Sequence, residues 1–208
     1  NQYRIIRVKR ILKRTVWALQ QQIRQGEFEP GEFEVSFSME DSLSAINIDL
    51  SEHEKMRLRG RIDRWDLCET DDKVYVKIID YKTGRAQTTH PKDIDEMFSA
   101  TPQALSKHTD YYLQAFLYSM IIQNSKRYNS AQEPVSPGLL FIQNAGAEDY
   151  DPTLKLGREK IEDIATYEED FMTHLRSLIA DIYNPALPLR PTSDKKRCEY
   201  CPYAGLCK

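Results

Sequence analysis

The chain has 208 residues, 40% hydrophobic and 29% charged, with a formal net charge of −3. That length allows one domain with a sizeable core, and the composition is ordinary for a globular protein. No apolar run approaches the ~20 residues that a bilayer-spanning helix needs, and no signal-peptide pattern opens the chain, so membrane and secretory readings are set aside.

The chain begins with Asn1 inside a helical pattern, and it is expected to be a piece of something longer. From about residue 3 to 25, Ile5, Val8, Ile11, Leu12, Val16 and Leu19 recur at helical spacing. The same stretch holds seven basic residues, Arg4, Arg7, Lys9, Arg10, Lys13, Arg14 and Arg24, and no acid. A second basic cluster is Lys55, Arg57, Arg59, Arg61 and Arg64. Each cluster reads equally as a solvated face or as a positive field for a polyanion.

Gly26, Pro30 and Gly31 break the first helix, and a strand resumes through Val35 and Phe37. "INIDL" is a further strand. "KMRLRGRIDRWDL" alternates, with Met56, Leu58 and Ile62 on one face and Arg57, Arg59, Arg61 and Asp63 on the other. "ETDD" turns the chain and "KVYVKIIDYK" returns. Residues 91 to 109 read as a loop with short helical pieces. A helix is expected from roughly 110 to 124, a buried strand at "PGLLFIQN" and a long helix from about 158 to 183. The order α–β–β–β–α–β–α implies an α/β (α+β) fold, a mixed sheet flanked by helices.

Asp80 and Lys82 sit at the end of the apolar run Val76, Ile78 and Ile79, where a charged pair is costly without partners. If the turn closes a simple hairpin, Asp63 lies almost opposite Ile79 and Asp80, and opposed residues approach to ~5 Å. Asp80 and Lys82, two apart on a strand, share a face. Two carboxylates in register suit one hard cation, Mg²⁺ or Mn²⁺, that takes further oxygens from water and phosphate. An adjacent ammonium suits charge developing on a phosphodiester. A surface Asp–Lys pair beside an unrelated Asp is the alternative.

"GRIDRWD" followed by "IIDYKTG" resembles the PD-(D/E)XK nuclease superfamily in its RecB-like branch, where a G-x-x-D strand precedes a D-Y-K strand. The Q-x-x-x-Y helix of that branch is matched by Gln114 and Tyr118 in "DYYLQAFLYSM", which share one helical face. The resemblance covers roughly residues 56 to 208 and implies a restriction-endonuclease-like core. By position it implies that Asp63, Asp80 and the Tyr81 backbone carbonyl bind metal and that Lys82 is the catalytic lysine. Gln114 and Tyr118 would organise that lysine and contact DNA. Arg61, Arg64 and Arg85 flank these motifs as candidate phosphate contacts. The family usually carries a metal-binding His on an upstream helix; no His precedes residue 50 here, and His53 is too close to the first catalytic strand.

"RCEYCPYAGLCK" places Cys198, Cys201 and Cys207 within ten residues. Three thiols cannot all pair, and metal ligation by zinc or an iron–sulfur cluster reads better, with a fourth ligand still to find. Cys68, the remaining cysteine, is a candidate for it or a small buried residue. The resemblance extends to AddB-type helicase–nuclease proteins and CRISPR-associated relatives. It implies a structural [4Fe-4S] cluster whose fourth cysteine lies far upstream, so that this stretch alone holds no complete set.

The expectation is one nuclease domain over residues 1–208, with 184–208 a cysteine-rich tail. It is expected to be a Mg²⁺-dependent exodeoxyribonuclease acting on DNA beside a helicase–nuclease partner in double-strand break processing, in the cytoplasm and away from membrane. The chain has no phosphate-binding Gly-Lys loop, so any ATP-driven unwinding belongs elsewhere. The alternatives are a CRISPR-associated or phage-type exonuclease, a non-catalytic DNA-binding module of the same fold, and a zinc-binding interaction domain.

Overall fold

The structure is a computed structural model that describes residues 2–24, 29–37, 47–49, 55–57, 60–70, 72–86, 89–145, 147, 150–188, 192, 198–199 and 201–207. Its centre is a hairpin. Strand β4 (Gly60–Glu69) turns at Thr70 to Lys73 and returns as β5 (Val74–Lys82). Thr70 holds the turn twice: its N–H donates to the Lys73 carbonyl at 2.9 Å, and its hydroxyl accepts from the Lys73 N–H at 3.2 Å.

Strand β1 (Glu29–Phe37) pairs antiparallel with β4, and β6 (Val135–Phe141) pairs parallel with β5, giving a mixed sheet of order β1-β4-β5-β6. A parallel neighbour requires a crossover. It is supplied by α2 (Ile94–Phe98), α3 (Pro102–Leu105) and α4 (Thr109–Gln123). Both short helices have side-chain caps: Asp93 accepts from the Glu96 N–H and Thr101 from the Ala104 N–H. This is the region expected to be loop with short helical pieces.

Helix α4 and the later helix α5 (Glu168–Tyr183) cover one face of the sheet. Ile62, Val76, Ile78, Phe116, Phe141 and Phe171 meet there in the main core. On the other face, Ile11 of α1 (Gln2–Arg24) packs against Ile79, Leu140, Ile142 and Ala145. Gly138 of β6 lets β5 approach, since a Cβ there would stand 2.8 Å from Ile79 Cδ1 and 3.2 Å from the Pro152 carbonyl oxygen. None of the helices in the described residues is long and apolar enough to cross a membrane.

Two expectations need correction. Lys55–Arg57, the first part of the alternating stretch from Lys55 to Leu67, does not pair within the main sheet. As short β3 it pairs with β2 (Asn47–Asp49) in a separate ribbon, while Gly60–Leu67 belongs to β4. Leu58, Arg59 and His53 lie outside the described residues, as do the side chains of Met56 and Arg57. The long helix expected from residue 158 begins only at Glu168. Gly157 takes a left-handed φ of +59°, closing a small hairpin of β7 (Lys155–Leu156) and β8 (Glu159–Lys160). Asp163 then caps a 3-10 turn over Ile164–Tyr167. Ile161 and Ile164 are fully buried, as their helical spacing suggested, but from an extended segment and a tight turn.

Candidate active site

The register of the hairpin sets Arg64 against Ile79, and one further step sets Asp63 against Asp80. At that step the regular ladder stops. The Tyr81 N–H donates not to a backbone carbonyl of β4 but to Asp63 Oδ2, at 2.9 Å. The carboxylate of Asp63 therefore lies in the gap between the two strands. In a strand the N–H and C=O of one residue project to the same side. The Tyr81 carbonyl thus faces the same gap, beside Asp63.

Asp80 is 4% exposed and projects from β5 with Lys82, whose Nζ lies 2.5 Å from Asp80 Oδ2. This contact is a largely buried ion pair. Burial holds the Asp80 carboxyl above its ordinary value; Lys82 opposes that shift and the nearby Asp63 carboxylate adds to it.

Helix α4 carries the lysine's other partners. Lys82 Nζ donates to Gln114 Oε1 at 3.1 Å, and Gln114 Nε2 donates to the Tyr118 hydroxyl at 3.1 Å. The ammonium also lies 4.3 Å from the centre of the Tyr111 ring. His108 stacks on that ring at 4.8 Å. Tyr111, Gln114 and Tyr118 stand at i, i+3 and i+7, one stripe of the helix facing the end of β5. Sequence reasoning did not single out Tyr111; its signal was that stripe, hidden in an apolar helix where another aromatic reads as core.

A second buried group lies behind the site. Arg64 and Asp66 share the opposite face of β4 from Asp63, are 1% and 0% exposed, and pair at 2.9 Å. Arg64 Nη1 donates to the Tyr81 hydroxyl at 3.1 Å, with its guanidinium carbon 5.6 Å from the ring centre. Tyr81 is thus held at both ends, its ring by Arg64 and its N–H by Asp63. Burial raises the Asp66 carboxyl from 3.8 to about 6 despite Arg64.

The structure thus brings together Asp63, Asp80, Tyr81, Lys82, Gln114 and Tyr118. Of the three arginines expected near phosphate, Arg61 and Arg85 are exposed, whereas Arg64 is buried in its pair with Asp66. In that position Arg64 supports Tyr81. Among the described residues no three His, Cys, Asp or Glu side chains converge on a metal position. A cation here would therefore have two carboxylates, the Tyr81 carbonyl, and oxygens of water and substrate. That donor set fits Mg²⁺ or Mn²⁺, which keep several waters.

The cysteines stand apart from this group. Cys198 and Cys201 are free, half-buried and joined by a turn in which the Cys201 N–H donates to the Cys198 carbonyl at 3.3 Å. Cys207 ends a 3-10 turn over Ala204–Cys207, and its side chain lies outside the described set. Cys68 is buried in β4 beside Tyr75, its partner residue on β5, a position of the small-buried-residue kind. The described residues therefore do not assemble a cluster site by themselves.

Comparison with known proteins shows the family. Residues 2–208 match the profile of the PD-(D/E)XK nuclease superfamily. The chain is 35% identical over 163 residues to the B-type component of an ATP-dependent helicase/deoxyribonuclease from Alkaliphilus oremlandii, covering 78% of this chain and 13% of that protein. A protein of the same name from Alkaliphilus metalliredigens is 34% identical over 164 residues, with the same two shares of 78% and 13%. One from Clostridium acetobutylicum is 44% identical over 82 residues, 39% of this chain and 7% of the relative. The chain therefore spans about an eighth of the length of the first of these relatives, at 13%.

Proposed function

Because this chain belongs to the PD-(D/E)XK nuclease superfamily, we propose that it hydrolyses DNA phosphodiester bonds with the help of a divalent cation, Mg²⁺ or Mn²⁺. The observation that supports this reading is the meeting of Asp63, Asp80 and Lys82 at the end of β5, with Gln114 locking the lysine. A cation bound by the two carboxylates and the Tyr81 carbonyl would supply Lewis-acid stabilisation and a water of lowered pKa.

The chain's own residues do the rest. Asp63, tied to the Tyr81 N–H, keeps its remaining oxygen and the Tyr81 carbonyl on one side of the gap. Asp80 lies under Lys82, so carboxylate and ammonium reach a phosphate together. Lys82 is oriented by Gln114 and the Tyr111 ring, which places its charge beside the oxygen that becomes more negative as the bond breaks. Gln114 can hold it because Tyr118 receives the amide's donor side and fixes which way the amide faces. Arg61 and Arg85 remain as phosphate contacts at the rim.

The same reading makes the chain the exonuclease part of an AddB-like helicase–nuclease complex, cytoplasmic, acting on double-strand breaks with a partner protein. It assigns residues 1–208 to one nuclease domain, with residues 184–208 as its tail. It assigns Cys198, Cys201 and Cys207 to a structural [4Fe-4S] cluster; their spacing and the Cys198–Cys201 turn support this, and the fourth ligand is not assigned.

The test is degradation of linear and of covalently closed DNA by the purified chain, with Mg²⁺ and with EDTA. Metal-dependent loss of linear DNA is expected, the closed circle being spared, with Asp80→Ala reducing the rate at least a thousandfold (on the order of 10³). Cleavage that persists in EDTA, or full activity of Asp80→Ala, would contradict the reading.

A further inference from the structure

Helix α1 carries charge that the site described above does not use. Arg7, Arg10 and Arg14 recur at i, i+3 and i+7 and so share a face. All three are exposed, and none makes an ion pair with another described residue. With Tyr3, Ile6, Val8 and Ile11 they line one wall of a groove of about 600 Å³, and Thr83, Ile142 and Gln143 stand on the other, so the guanidinium groups sit above an apolar floor. Thr83 follows Lys82 directly, so the groove, on the α1 face of the sheet, ends at the tip of β5, from which Lys82 projects to the α4 face. Gln143 Nε2 donates to the Thr83 carbonyl at 3.3 Å and fixes that wall. Around the helix, Lys9, Lys13 and Trp17 join Arg10 and Arg14 along an adjoining depression.

Tyr3 is 79% and Trp17 50% exposed. Large aromatic rings left in solvent beside guanidinium groups match what a single nucleic-acid strand offers: phosphates along its length and unpaired bases to stack. A duplex hides those base faces. A membrane surface would also attract a basic amphipathic helix. Here Arg7, Arg10 and Arg14 also line a groove closed on its far side by Thr83 and Gln143, a channel that a flat bilayer surface does not fill. From Tyr3 to Trp17 the helix runs about 21 Å at ~1.5 Å per residue, room for several nucleotides.

We propose that α1 is the track for a single strand of nucleic acid that passes round the end of β5 to the site at Lys82, with Arg7, Arg10 and Arg14 holding phosphates and Tyr3 and Trp17 stacking bases. The direction toward Lys82 rests on the nuclease reading; the binding itself does not.

The experiment is fluorescence anisotropy of a labelled oligothymidine with the full chain in EDTA, over a range of salt. For Arg7→Gln/Arg10→Gln/Arg14→Gln the log–log salt slope should become shallower by about two, since each charge on a single strand contributes ~0.7. Affinity at low salt should fall at least tenfold, about 1.4 kcal/mol. The exposed triple Lys92→Gln/Lys126→Gln/Arg158→Gln should leave the slope as it is. Tyr3→Leu/Trp17→Leu should weaken binding with the slope retained, and it serves as the second arm should the arginine triple fail to fold by circular dichroism. Equal loss in the control triple, unchanged affinity in both α1 variants, duplex bound as tightly as single strand, or full competition by anionic phosphatidylserine vesicles would overturn the proposal. No cleavage occurs in EDTA, so this outcome and that of Asp80→Ala stand or fall separately.

Discussion

A carboxylate that accepts a backbone N–H cannot point anywhere else, and this is what fixes Asp63. Its hydrogen bond from Tyr81 interrupts the hairpin ladder where the site needs open oxygens. The motif residues Asp63, Asp80, Lys82, Gln114 and Tyr118 were legible in the sequence because their types and order together carry the resemblance. Tyr111 was not, since a ring on an apolar helix looks like core until its neighbour proves to be an ammonium. Nor was the pairing of Arg64 with Asp66: alternation puts both on the face of Ile62, but charged side chains read as solvated until each is seen to be buried against the other. Asp66 gives a pH prediction. Its folded pKa of about 6 lies above the 3.8 of its ordinary state, so the folded chain holds the proton more tightly. The stability this gives is present below 3.8 and lost as pH rises through about 6. Asp66→Asn, which cannot ionise, escapes that loss. In urea unfolding, the midpoint of Asp66→Asn relative to the parent should therefore shift in favour of the variant as pH rises across that window. A constant difference would show that Asp66 does not titrate there.

At the scale of elements, the hairpin β4–β5 and helix α4 were readable because period and punctuation agreed. The expected span of 110 to 124 for α4 compares with the observed Thr109–Gln123. The region from 158 to 167 was misread because Ile161 and Ile164 have helical spacing, while Gly157 and Asp163 impose a turn and a cap that periodicity does not weigh. Strand β6 depends on one residue without a side chain. Ala at Gly138 would press on Ile79, itself fully buried against Leu140, and on the Pro152 carbonyl. Overpacking of that kind costs ~1–3 kcal/mol. Gly138→Ala should therefore lower the urea midpoint by a corresponding amount, and an unchanged midpoint would mean that β5 and β6 can separate without cost. Tyr150 supports the same strand from outside. Its hydroxyl accepts from the Phe141 N–H at 2.8 Å and donates to the Leu139 carbonyl at 3.0 Å, a role that the sequence did not announce.

For the whole molecule, a mixed sheet with α4 and α5 on one face and α1 on the other brings three distant stretches to the end of β5: the hairpin, the Gln-x-x-x-Tyr helix and the basic amino-terminal helix. The mixed sheet flanked by helices was expected from element order. The groove between α1 and the ends of β5 and β6 was not, because helical periodicity does not say which wall a helix faces. The central claim is that Asp63 and Asp80 together grip one divalent ion beside Lys82. Its most direct test is anomalous diffraction from crystals of the chain soaked in Mn²⁺. A single strong peak between the two carboxylates, about 2.2 Å from oxygens of each and absent in Asp63→Asn, is predicted. A crystal in which Mn²⁺ binds elsewhere, or in which the carboxylates stay bound to Lys82 and the Tyr81 N–H with no peak between them, would contradict it.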